Sequence, residues 1–120
     1  MKKDKVIISQ HVLEHAGMII RIGKDAKSNT ELIKSADSSD IWIHVADHSG
    51  AHCIIEYEYT IDPHPDIILH CCMTLKQMSS KLRDLRGVTF HVTRINNLKL
   101  GRVAGQVTFK NPADVTRVKC

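Results

Sequence analysis

The sequence predicts an α+β fold, an antiparallel or mixed sheet with two helices packed against it. Three observations predict it. Apolar residues alternate with polar ones at Ile41–Val45, Cys53–Tyr57 and Val88–Ile95, and period two marks strands. After Ser28 and again after Asp66 the apolar residues recur every three or four positions, the helical period. The first two alternating runs are joined by a short polar segment holding Gly50, which makes them a hairpin and favours an antiparallel arrangement.

The 120 residues fit one domain, residues 1–120, with residues 1–5 as a frayed basic tail. The formal net charge is +4, a moderate basic bias compatible with an acidic or nucleic-acid partner. No apolar run approaches the ~20 residues of a membrane span, and the apolar run near the N-terminus is too short for a signal peptide. A cytoplasmic, membrane-free protein is expected. The cysteines, Cys53, Cys71, Cys72 and Cys120, lack CxxC spacing and read as reduced thiols.

In chain order, Val6-Ile7-Ile8 is a candidate first strand, and Gly17–Gly23 a clearer one. Alternation puts Met18, Ile20 and Ile22 on one face and Ile19 and Arg21 on the other. Lys24–Lys27 reads as a polar turn. Ser28-Asn29-Thr30-Glu31 has the form of a capping box, so a helix is placed from Asn29 to about Ala36. In the hairpin, Ile43 falls opposite Cys53 and Ile41 opposite Ile55, while Trp42 meets Ile54 and His44 meets His52 on the other face. Both faces carry large apolar residues and both are expected to be covered. Gly50 stands where a turn wants positive φ or close backbone approach. The main helix runs from Asp66 to about Arg83, with Cys71 and Cys72 on its apolar side. Val88–Ile95 is a strand, 96–104 a loop, Gly105–Lys110 a strand, and Val115–Val118 a short last strand.

The stretch Asp40–His52, D-I-W-I-H-V-A-D-H-S-G-A-H, together with Gly17, Arg21-Ile22-Gly23-Lys24, Asn29, Leu32 and Gly105-Gln106-Val107, resembles the NFACT-R domain. The specific part is the D-x-W-x-H-x(5)-G-x-H spacing. The resemblance implies an RNA-binding domain, usually the C-terminal part of larger proteins that engage the large ribosomal subunit and tRNA during rescue and tailing of stalled nascent chains. This chain looks like a stand-alone copy. It departs from the family in having Lys24-Asp25 where arginine then asparagine is usual, Ser49 where proline is favoured, and a basic loop reduced to Lys99, Gly101 and Arg102. Lysine keeps the charge but loses the bidentate fork of arginine.

The expected RNA-binding set is Arg21, Lys24, Lys27, Asn29, Trp42, His44, His52, Lys99 and Arg102. Basic loops supply phosphate contacts and a nearby aromatic holds bases. A second reading of Trp42, His44 and His52 stays open, in which they are buried and hydrogen-bonded within the fold. A zinc site from His44, His48, His52 and Cys53 is disfavoured because Cys53 faces the other side of the hairpin. No catalytic constellation, P-loop or GxGxxG is present, so neither a catalytic role nor a cofactor is expected. The partners expected are tRNA or ribosomal RNA and a ribosomal or quality-control protein. The alternatives are a protein-interaction module docking through the Trp42 face and an RNA-modifying enzyme.

Overall fold

The computed structural model describes residues 10–15, 18–23, 25–56 and 65–120. The fold is α+β. Its elements are β1 (Gln10–His15), β2 (Met18–Gly23), α1 (Ala26–Ser35), β3 (Ile41–Val45), β4 (Cys53–Ile55), α2 (Pro65–Met78), β5 (Thr89–Arg94), β6 (Leu98–Leu100), β7 (Val107–Phe109) and β8 (Thr116–Lys119). Among the described residues, six strands form one sheet in the order β1-β2-β4-β3-β5-β8, and β6 pairs β7 in a separate hairpin. Every described pairing is antiparallel.

The β3–β4 register is the one the alternation predicts: Ile41 opposite Ile55, Trp42 opposite Ile54 and Ile43 opposite Cys53. Both faces of the sheet are covered. On one, Ile20, Ile22, Ile41, Ile43, Cys53, Ile55, Phe90 and Val92 pack with Cys71, Cys72 and Leu75 of α2. On the other, Trp42 and Ile54 pack with Leu32 and Ile33 of α1 and with Leu98, Val107 and Phe109 of the small hairpin. Each fully buried side chain of this size contributes roughly 1.5–3 kcal/mol. Cys53, Cys71 and Cys72 are buried free thiols of the first core.

Several expectations are corrected. Helix α1 starts at Ala26, earlier than the Ser28 frame implies. Asp25 is its N-cap: its side chain accepts from the Ser28 N–H at 2.7 Å, and the Ser28 hydroxyl accepts from the Asp25 N–H at 3.0 Å. Aspartate and serine cap comparably well, so two overlapping frames were available. The one chosen buries Ser28, Asn29, Leu32 and Ile33 together. Helix α2 stops at Met78 rather than Arg83. Past it the Ser79 carbonyl accepts from both the Leu82 and Arg83 N–H groups, and this turn carries Leu82 back into the core. Positive φ in the β3–β4 connection falls on Asp47, at 63°, and not on Gly50, since aspartate tolerates the left-handed region.

The segment 96–104, read as loop, holds β6. The Asn97 amide decides this: its Oδ1 accepts from the Asn111 N–H at 2.8 Å and its Nδ2 donates to the Asn111 carbonyl at 3.0 Å, tying the two ends of the hairpin together. Strand β1 had no sequence-based expectation. The basic tail 1–5 and the candidate strand at Val6–Ile8 lie outside the described residues.

Candidate nucleic-acid interface

Trp42 packs on the sheet face away from α2, and the residue is 1 % exposed. A buried indole N–H needs an acceptor. It finds His52 Nδ1 at 3.1 Å, which places the imidazole proton on Nε2. The His52 backbone N–H donates to Asn29 Oδ1 at 3.1 Å, and Asn29 Nδ2 donates to the Gly50 carbonyl at 3.4 Å. One amide on α1 therefore holds residues 50–52 in place. Gly23 makes room for it, because a Cβ there would lie 2.2 Å from Asn29 Oδ1.

His44 sits beside this chain, 4.4 Å from the His52 ring and 5.7 Å from Trp42 between centroids. Burial pushes His44 down to about 4, against a backbone hydrogen bond at Gly50, with nearby His91 lowering it further. Burial, then His44, pushes His52 down to about 3. Both rings are neutral at pH 7. They offer hydrogen bonds and ring faces, not positive charge.

A notch of about 350 Å³ opens between the first turn of α1, the 49–52 segment and the tip of the β6–β7 hairpin, with Asn29, His44 and His52 at its base. Gly105 brings that tip onto α1. Its φ is +81°, and a Cβ would come within 3.2 Å of Ala26. Its N–H donates to Thr30 Oγ1 at 2.7 Å. The notch is walled by small side chains and backbone.

The expected site residues separate by environment. Trp42, His52 and Asn29 are buried, and the bonds just given are internal to the fold. Trp42 has no open face for a base. Arg21 is not part of a free basic surface: its Nε donates to Glu56 Oε1 at 2.7 Å, with the two side chains 13 % and 3 % exposed. His44 is half-buried at the notch. Lys27 is exposed in the first turn of α1, next to Ala26 of the notch wall, and Arg102 is exposed two residues before Ala104 of the opposite wall. Lys99 is exposed but pairs with Thr108, so alternation turns it away from Leu98 and the sheet. Lys24 lies outside the described residues.

The expected RNA-binding set left out the 49–51 segment and Gly105, although both stand in the stretches that carry the resemblance, and it left out His91 and Phe109. His91 is opposite His44 in the sheet, and the Phe109 ring stands 5.4 Å from His91 and 5.8 Å from Trp42. The one available signal was the alternation that set His91 apart from Phe90 and Val92. The Cys53 side chain is hydrogen-bonded to Cys71, on the sheet face opposite Trp42. Among the described residues no group of three or more His, Cys, Asp or Glu could hold a metal ion.

The chain is 34 % identical over 106 residues to the coiled-coil domain-containing protein 25 homolog of Dictyostelium discoideum, covering 84 % of this chain and 52 % of that protein. The C-terminal part of the fibronectin/fibrinogen-binding protein from Streptococcus suis has the same fold, with a TM-score of 0.77 at 24 % identity, over 99 % of this chain and 46 % of that one. The chain thus spans about half the length of each. Among the described residues no helix is long and apolar enough to cross a membrane. The family model of the NFACT protein RNA binding domain matches residues 6–111, and the chain belongs to that family.

Proposed function

We propose that this chain is a non-enzymatic RNA-binding module for tRNA or structured ribosomal RNA, acting in the cytoplasm in translation or ribosome-associated quality control. The observation that carries the reading is the match to the RNA-binding family over residues 6–111. The geometry supports a division of labour. Lys27 and Arg102 flank the notch and contact phosphates, which supply most of the affinity without sequence information. Neutral His44 offers a hydrogen bond at the notch floor. Trp42, Asn29 and His52 shape the site from within, while Arg21 pairs with Glu56 inside the fold. No cofactor is required.

The test is binding of bulk tRNA across a salt series. Log affinity should fall linearly with log salt, and Lys27→Ala and Arg102→Ala should each lessen the slope by about 1. Failure to bind tRNA at low salt overturns the reading.

A protein partner is a second reading, and one observation favours it. Leu69 and Met73, one turn apart on α2, are 38 % and 53 % exposed. We assign a ribosomal or quality-control protein to that face. The buried Trp42 face offers no such anchor.

A further inference from the structure

The sheet carries a second chemical feature beside the notch. In the β3–β5–β8 register His44 lies opposite His91, and His91 opposite Arg117, with Thr89 opposite Lys119. Directly opposed residues project to the same face at neighbouring-strand spacing. His44, His91 and Arg117 therefore form a row across three strands, on the face away from α2. The Phe109 ring stands over this row, nearly perpendicular to His91 at 83°. Trp42 backs it at 70°, so Phe109 is braced before any ligand arrives. His91 and Phe109 are half-buried, and Arg117 and Lys119 are exposed. Strand β8, Thr116–Lys119, holds two cations and no carboxylate.

The geometry points to a base-stacking ledge: His91 and Phe109 form a corner that takes one unpaired base, while Arg117 and Lys119 take the phosphates on either side. A flat aromatic ring accepts any base by its π-face, and cations along the same edge follow the backbone. A base within a continuous duplex has both faces occupied by its neighbours and cannot enter the corner. The ligand class is thus an RNA with a looped-out or single-stranded nucleotide, such as a hairpin loop. Burial, with Arg117 adding to it and Asp47 opposing, lowers His91 below its usual value. The ring stays neutral at pH 7, as stacking favours. This deepens the RNA-binding reading above and rests on it.

The experiment compares the full chain on two labelled RNAs, a stem-loop with a wide unpaired loop and the blunt duplex of the same stem. Wild type is expected to prefer the stem-loop. His91→Ala and Phe109→Leu should each weaken stem-loop binding about tenfold and leave duplex binding within about twofold. Arg117→Ala should weaken both and lessen the salt slope by about 1. Circular dichroism and urea midpoints identify any variant that fails to fold. His91→Ala removes only a half-buried ring and is the variant to rely on if Phe109→Leu unfolds. If His91→Ala binds both RNAs like wild type, the ledge is not a nucleotide site, and the RNA-binding reading survives. If wild type binds neither RNA at low salt, that reading fails and takes the ledge with it.

Discussion

At the scale of single residues, the hydrogen bond from Trp42 to His52 explains much of what the motif is for. The spacing between them is set by a hairpin register, and the bond pairs two groups that water cannot reach. Trp42→Phe keeps most of the packing but strands the His52 Nδ1 acceptor. The expected cost is about 1–3 kcal/mol, read as a lower urea midpoint by circular dichroism. The histidines make stability depend on pH. In the folded chain His44 titrates at about 4 and His52 at about 3, both below the ordinary 6.5. Between those values the unfolded chain holds more protons, so stability is fully present above the ordinary value and is lost as pH falls. From about pH 6.5 to about pH 5 the expected loss is roughly 2 kcal/mol for each histidine. Urea unfolding followed by fluorescence of Trp42, the single tryptophan, measures it, and His44→Gln should flatten the dependence by about half. Arg21 behaves as a structural residue in the same sense. Arg21→Ala removes a charge partner of the buried Glu56 carboxylate and should cost on the order of 3 kcal/mol. In a variant that still folds, the tRNA salt slope should match wild type.

At the scale of elements, the notch exists because two short pieces are clasped to one helix. Asn29 holds the β3–β4 connection to α1, and Gly105 with Thr30 holds the β6–β7 tip to it. Gly105→Ala places a Cβ against Ala26 in a backbone conformation that L-residues disfavour. It should destabilise by about 1–2 kcal/mol and weaken tRNA binding more than Lys99→Ala does, which paired titrations would show. This scale also shows where sequence signals compete. Asp25–Ser28 and Ser28–Glu31 are both acceptable capping frames. The first prevails because it buries Asn29 toward Gly50 while Leu32 and Ile33 reach Trp42. The β6 strand was illegible for another reason. Three residues, Leu98-Lys99-Leu100, carry too little alternation to stand out, and what makes them a strand is the Asn97–Asn111 tie fourteen positions apart.

For the molecule as a whole, the strand order β1-β2-β4-β3-β5-β8 puts the Trp42 hairpin in the middle of the sheet with a separate core on each side. The chain leaves β4, crosses through α2 and returns in β5 beside β3. That return is what places His91 next to His44, and the small hairpin sets Phe109 against His91 and Trp42. The sequence by itself determined the α+β class, the β3–β4 register, the split of the hairpin into an Ile41/Ile43/Cys53 face and a Trp42/His44/His52 face, and the family resemblance. Those features rest on local periodicity and short spacings, which a chain carries along its length. Only the tertiary structure decided which polar residues face solvent. Arg21, Asn29 and His52 read as surface chemistry until Glu56, Gly50 and Trp42 are seen to occupy them, while His91 and Phe109 read as ordinary strand residues until β3, β5 and β7 converge. Burial is a property of contacts between distant segments, and no local pattern encodes which segment will arrive.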